Sequence, residues 1–277
     1  MKLSIVTINR NNTEGLRKTI ESVVSQSFND FEYIVIDGAS TDSSVDVIKE
    51  YQDKITYWVS EPDSGVYQAM NKGIKVAKGE YLLMLNSGDF LVSGDVLHKI
   101  SSTLDGTDII QGNVIEERGG ESIRVRGYGR SNISFIDVVD GYFLHQAMFI
   151  KKSLHEEYGL YEDEYKKAAD SYFFIKAMGF GNAGFKYVDI DVANFDVNGI
   201  SSMNDPKWIE IDKEEDRIWY GKNMPSRILQ LYKDASKKMV LYDTLKSNKI
   251  VWKLTMLFVY LLNVGKKTNK KRIEEKI

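Results

Sequence analysis

Two carboxylates each follow an apolar run. Tyr33-Ile34-Val35-Ile36 ends in Asp37, with Gly38-Ala39-Ser40-Thr41-Asp42 behind it. Tyr81-Leu82-Leu83-Met84-Leu85 leads through Asn86-Ser87-Gly88 to Asp89. In an open α/β sheet, ligands bind outside the carboxyl ends of the strands. Two acids there suit a polyphosphate ligand with a metal ion, since a hard divalent cation takes one or two carboxylates and completes its shell with phosphate oxygens. Between the two acids, Asp63-Ser64-Gly65 opens a helical pattern. The free N–H groups and positive dipole end of a helix start favour an anion, and Gly65 permits close backbone approach.

The elements that must position these groups alternate. Leu3–Ile8 reads as a first strand, Glu32–Ile36 as a second, Ile55–Val59 as a third and Tyr81–Leu85 as a fourth. Three helical patterns intervene. The first carries Leu16, Ile20, Val23 and Val24 on one face with Thr13 as N-cap; the second runs from Val45 to Tyr51 behind Ser43 or Ser44; the third runs from Ser64 to Ala77 and stops at Gly79. Such alternation predicts βαβ units wound into a parallel sheet with helices on both faces. From residue 107 the pattern changes to a mixed region: strands over Asp108–Ile115, Arg124–Tyr128, Ala147–Ile150 and Val188–Phe195, a helix over Ala168–Met178 and a turn at Asn198–Ser201. The predicted organisation is a nucleotide-binding half over 1–106, an acceptor half over 107–204 and a basic, mostly helical appendage over 205–277.

The 277 residues contain no cysteine, which excludes disulfides and thiolate metal sites, and three scattered histidines, His98, His145 and His155, do not make a zinc site. The run from Met1-Lys2 straight into the first strand pattern leaves no room for a signal peptide, so the cytosol is the expected compartment. The net charge of −3 hides an asymmetry: residues 217–277 hold fifteen basic and four acidic side chains, and everything before them is acidic in balance. That distribution argues against a nucleic-acid-binding surface and for an arm that lies on anionic lipid or a partner.

Thr7-Ile8-Asn9, the Val35–Asp42 turn, Glu61–Gly73 and Leu85–Asp89, in that order, resemble the signature of glycosyltransferase family 2 with the GT-A fold. The flavour is that of enzymes building bacterial exopolysaccharide, O-antigen and colanic acid. The likeness covers roughly residues 1–200. It implies an inverting transfer of a sugar, of the hexosyl or N-acetylhexosaminyl class, from a nucleoside diphosphate (UDP by expectation) to a saccharide or lipid-linked saccharide. Asp37 then accepts hydrogen bonds from the nucleoside, whose imide and ribose hydroxyls donate. Thr7 and Asn9 stand at the base-binding edge. Asp63, Gly65, Asn71 and Lys72 belong to the donor-side helix, Asn86 to the turn before the metal ligand, and Asp89 to the metal, Mn²⁺ or Mg²⁺. Asp170, closing Glu162–Asp170, resembles the catalytic base that takes the acceptor's proton. His145 stands near the acceptor, and Asn198 and Ser201 in the loop that closes over the donor.

The chain departs from the family pattern twice. Asn86-Ser87-Gly88-Asp89 keeps one acid of an Asp-x-Asp element, and Met70 stands where many members carry an arginine for the diphosphate; Lys72, the nearest cation, points elsewhere on the helix. Two rivals follow. A sugar-nucleotide pyrophosphorylase would need a Gly-rich loop where this chain has Asn9-Arg10-Asn11-Asn12. A non-catalytic saccharide- or nucleotide-sugar-binding module would explain the thinned metal motif, but not the retained Asp89 and Asp170. Gly179–Gly184 matches G-x-G-x-x-G, yet a helix precedes it and a strand follows, the reverse of a dinucleotide site. Ile250–Val264 is apolar nearly all round, and as a helix reaches about 22 Å, short of a bilayer core. Lys266, Lys267, Lys270, Lys271 and Arg272 follow it. Contact of 250–272 with the inner face of the cytoplasmic membrane, packing on its own domain and docking on a second copy in a homo-oligomer all stay open.

Overall fold

The computed structural model describes residues 1–118, 120–139, 141, 143–196, 206–227, 229, 230 and 234. Asn198, Ser201 and the 250–272 segment lie outside them. The chain divides into one compact unit over Met1–Arg217 and a second over Ile218–Ile277. The fold that follows is that of the first.

In chain order its elements are β1 (Leu3–Asn9), α1 (Thr13–Val24), β2 (Phe31–Asp37), α2 (Ser44–Glu50), β3 (Tyr57–Ser60), α3 (Val66–Val76), β4 (Tyr81–Met84), β5 (Phe90–Leu91), α4 (Val96–Ser101), β6 (Ile109–Arg118), β7 (Glu121–Val125), α5 (Phe135–Val139), β8 (Met148–Lys151), α6 (Lys152–Tyr158), α7 (Ala169–Phe174) and β9 (Phe185–Phe195). The helix α8 (Pro206–Asn223) begins in this unit. The sheet runs β3-β2-β1-β4-β8-β6-β9-β5, with β7 paired to β6. The strands β1 to β4 are mutually parallel. Beyond β4 the sheet is mixed: β8 lies antiparallel between β4 and β6, while β6 and β9 run parallel through an irregular register at Gln111–Val114.

Every residue of β1 is buried, without alternation. Both faces are covered, which is why this strand reads as a continuous apolar run. Leu3 and Ile5 join the core cluster with Leu16, Ile20 and Val23 of α1. Val6 points the other way, against Gly73 of α3, where a Cβ would meet its Cγ1 at 2.3 Å. The expected helices form with small changes at their starts. Asn12, not Thr13, caps α1, its side chain accepting from the Gly15 N–H; Thr13 turns its hydroxyl to Asp42 at 2.7 Å. The helix α2 starts at Ser44, whose N–H is met by the Asp42 carboxylate. Gly65, at φ +146°, sets the start of α3 with a backbone that side chains other than glycine's rarely adopt. After α7 the chain continues as a π-helical turn from Ile175 to Phe180.

Candidate active site

A cleft of about 1290 Å³ opens along the carboxyl ends of β1 and β4. Of the residues singled out from the sequence, Asn9, Asp63, Gly65, Asn86, Asp89, His145 and Asp170 line it. Thr7, Asp37, Asn71 and Lys72 do not.

Thr7 is fully buried between the Leu85 carbonyl, to which it donates at 2.8 Å, and the Tyr33 hydroxyl, from which it accepts at 3.0 Å. It fixes the strand ends rather than facing a ligand. Asp37 is likewise fully buried, and its two oxygens already take four hydrogen bonds. Oδ1 accepts from Asn9 Nδ2 at 2.8 Å and Ser40 Oγ at 2.6 Å; Oδ2 accepts from the Ser40 N–H at 2.9 Å and Ser60 Oγ at 2.6 Å. Burial works to raise its pKa, but these donors outweigh burial and hold it below the ordinary value. They also hold Ala39 in the left-handed region at φ +56°. The acceptor capacity expected to face a nucleoside is therefore spent on the turn. What Asp37 presents at the cleft wall is Asn9: with Nδ2 committed to Asp37, the buried Oδ1 of Asn9 has no partner.

Asn71 and Lys72 are corrected in the same way. Asn71 clamps the Tyr161 backbone at both ends, donating to its carbonyl at 2.8 Å and accepting from its N–H at 3.0 Å. Lys72 pairs with Glu61 at 2.9 Å and donates to the Pro62 carbonyl, so its charge is spent away from the cleft. Asp63 carries the Gly65 N–H at 3.1 Å and stands 4.0 Å from Arg10, an exposed cation on the cleft rim.

Asp89 sits in the turn between β4 and β5. Gly88, at φ +107°, makes the turn possible; a side chain there would also meet the Asp196 carboxylate at 2.9 Å. The Asp89 carboxylate is 4 % exposed, accepts from the Asp196 N–H at 2.9 Å and from Gln146, and is pushed up to about 7 by burial. In the same turn, the buried Oδ1 of Asn86 has no partner. The available donors are hard oxygens: a carboxylate and an orphaned amide carbonyl. They suit Mg²⁺ or Mn²⁺ that draws its remaining ligands from a diphosphate. Among the described residues, no group of three acids, histidines or cysteines is assembled to hold an ion without one.

Asp170 opens α7 and reaches into the cleft with its side chain 15 % exposed. Tyr67 Oη stands 2.9 Å from its Oδ1, and His145 Nδ1 lies 3.4 Å from its Oδ2. Burial raises the Asp170 pKa, but His145 and Tyr67 outweigh it, so the carboxylate stays ionised below its usual range. The reciprocal effect raises His145 against its own burial. Burial and the adjacent Asp170 charge lift the Tyr67 phenol well above its ordinary value, so it serves as a donor. Reading the sequence missed Tyr67, although it lies in the quoted motif one turn ahead of Asn71. Arg10, Asp196 and the cleft-lining Glu116–Arg118 ion pair were missed as well, since nothing local marks them.

The parallel first half, the antiparallel β8 beside β4 and a ligand edge facing an ionised carboxylate define a GT-A-like transferase fold. A sequence profile for glycosyl transferase family 2 matches residues 4–159, and the chain belongs to that family. An uncharacterized glycosyltransferase of Mycobacterium tuberculosis is 32% identical over 219 residues, covering 74% of this chain and 78% of that one. The poly(ribitol-phosphate) beta-N-acetylglucosaminyltransferase TarP of Staphylococcus aureus is 25% identical over 290 residues, covering 100% of this chain and 85% of its own. Among solved structures, S. aureus TarS 1–349 in complex with UDP-GlcNAc superposes with a TM-score of 0.61 at 20% identity, over 70% of this chain and 58% of that one. The mannosyltransferase PcManGT of Pyrobaculum calidifontis, in complex with GDP-Man and Mn²⁺, matches with a TM-score of 0.57 at 14% identity, over 96% and 86%. This chain thus spans less than two thirds of the TarS chain, and both structural likenesses concern the fold.

Proposed function

We propose that this protein transfers a sugar, with inversion, from a nucleoside-diphosphate donor to a hydroxyl of a saccharide or lipid-linked saccharide in the building of a cell-surface glycan. One observation carries the reading: Asp89 and the ionised Asp170 line one cleft, and His145 stands between them in electrostatic contact with both. The UDP-GlcNAc held by TarS and the acceptor in TarP's name support a UDP-sugar and a cell-surface acceptor.

In this mechanism the Asp170 carboxylate takes the proton from the acceptor hydroxyl. That oxygen forms its bond to the anomeric carbon from the face opposite the nucleoside diphosphate, and the bond from the anomeric carbon to the phosphate oxygen breaks. Tyr67 and His145 hold the carboxylate in place and ionised. A positioned base of this kind contributes roughly 10²–10⁴-fold. Asn9 Oδ1, left without a partner by Asp37, accepts from the nucleoside. Asp89 and Asn86 Oδ1 would hold a divalent cation, which when bound offsets the charge on the departing diphosphate. A panel of nucleotide-sugars, scored by thermal stabilisation with and without Mn²⁺, tests this: a UDP-sugar should raise the melting temperature and Mn²⁺ should enlarge the rise. No stabilisation by any nucleotide-sugar would overturn the reading.

A further inference from the structure

Glu215 lies on α8, remote in sequence from every motif of the site. Its carboxylate is buried and grips two consecutive backbone amides. Oε1 accepts from the Lys166 N–H at 2.6 Å and Oε2 from the Lys167 N–H at 3.1 Å. These amides belong to the segment that enters α7 and ends in Asp170. Asp212 and Asp216, three residues before and one after, flank this grip: Asp212 pairs with Lys167 Nζ at 3.2 Å, and Asp216 accepts from the hydroxyl of Tyr172, two residues past Asp170 in α7, at 3.1 Å. Positions 212, 215 and 216 fall on one face of a helix. The middle of α8 is thus an acidic clamp on the piece of chain that carries the base.

The clamp reaches the base through one hydroxyl. Lys167 is held at its N–H by Glu215, and its carbonyl accepts from Tyr67 Oη at 2.6 Å. The same Tyr67 oxygen stands 2.9 Å from Asp170 Oδ1. A phenol has one proton to give, so the placement of the Lys167 carbonyl governs how Tyr67 meets Asp170. The titratable groups facing Asp170 are Tyr67 from α3, His145 from the turn before β8, and Tyr161, whose ring packs 5.8 Å from that of Tyr67.

We infer that Glu215 is a positioning residue for the Asp170 base, acting through the Lys167 peptide and Tyr67. The inference rests on the reading of Asp170 as the base. Glu215→Gln sets an amide NH₂ against one of the two backbone donors and releases the segment. Asp170, which the released segment carries, then moves off the Tyr67 hydroxyl together with the Lys167 carbonyl, and its pKa rises.

The test uses the full chain, UDP as binding probe and turnover of the nucleotide-sugar found in the thermal screen. E215Q should lower kcat by up to roughly 10²-fold, since small misplacements of a reacting group have costs of that size. UDP affinity should be unchanged, and the acid limb of the kcat–pH profile should move to higher pH. Y67F should move it the same way, and E215Q/Y67F should be no worse than the poorer single variant. E215D, which keeps the charge and shortens the reach, should show the same direction of shift and serves if E215Q does not fold. A foldable E215Q or E215D with the wild-type kcat and profile overturns the inference, and so does a double variant whose losses multiply. Asp170→Asn in the same series separates the two claims: if it is inactive while the Glu215 variants are normal, only the positioning role falls. If it turns over at the wild-type rate, the base reading falls and the positioning role with it.

Discussion

His145 stands between two parts of the site. Its Nδ1 is 3.4 Å from Oδ2 of Asp170, and its Nε2 faces the Asn86 amide nitrogen at 3.3 Å. One imidazole therefore joins the segment that carries the base to the turn that carries Asp89.

Removing that imidazole should show in the pH dependence of turnover. His145 is the largest of the influences that hold Asp170 ionised against burial. In His145→Gln the Asp170 pKa rises, so the acid limb of the kcat–pH profile moves to higher pH and kcat at neutral pH falls. An acid limb at the wild-type position would contradict the pairing.

Asp89 should weaken the ligand-free fold. Its folded-state value of about 7 lies above the ordinary carboxylate value, so the folded protein holds this proton more tightly than the unfolded chain does. Stability from that difference is present at low pH and is lost as pH rises through about 7. Asp89→Asn should therefore raise the melting temperature at pH 8 and much less at pH 5, the gain in stability at pH 8 being up to about 4 kcal/mol at one pKa unit per 1.36 kcal/mol. The same variant should lose the Mn²⁺-dependent part of UDP binding. Equal stability of both proteins at pH 8 would contradict the burial argument.

Asp37 should matter to the fold first. In Asp37→Asn an amide NH₂ faces two of its four donors, at a cost of about 3 kcal/mol for buried polar groups losing their acceptor. A urea melt should show the shifted midpoint. UDP affinity should fall too, because Asn9 loses the partner that orients it. An unchanged midpoint would remove Asp37 from the turn's support.

The sequence was legible where a local pattern and a local cause coincide. The runs leading to Asp37 and Asp89 are strands because both faces of the sheet are covered, and the carboxyl end of the second lines the cleft. The motif around Asp170 pointed to a carboxylate that lines the cleft. What was not legible is set by partners far along the chain. Thr7 and Asn71 are polar residues of motif segments whose hydrogen bonds run to Leu85 and Tyr161, so they read as ligands until those partners are placed. Lys72 read as a donor-side residue for want of its Glu61 partner. The reversal of β8 has no local signal, because strand direction comes from the crossover. Glu215 is one acid in a helix rich in acids, and its two backbone partners are invisible in one dimension.

The basic C-terminal arm carries a prediction from sequence alone. Each basic residue near anionic lipid contributes about 1 kcal/mol, screened by salt. The full chain should co-sediment with anionic vesicles at low salt, and a chain ending at residue 245 should lose that binding while keeping UDP affinity. Equal vesicle binding by both would place residues 250–272 against protein instead.

The most direct measurement pairs UDP binding with sugar transfer in Asp170→Asn. The substitution keeps the size of the side chain and removes its capacity to take a proton. UDP affinity should stay near that of the wild type, while transfer falls by roughly 10²-fold or more. Transfer at the wild-type rate, with UDP bound normally, would contradict Asp170 as the base and the mechanism built on it.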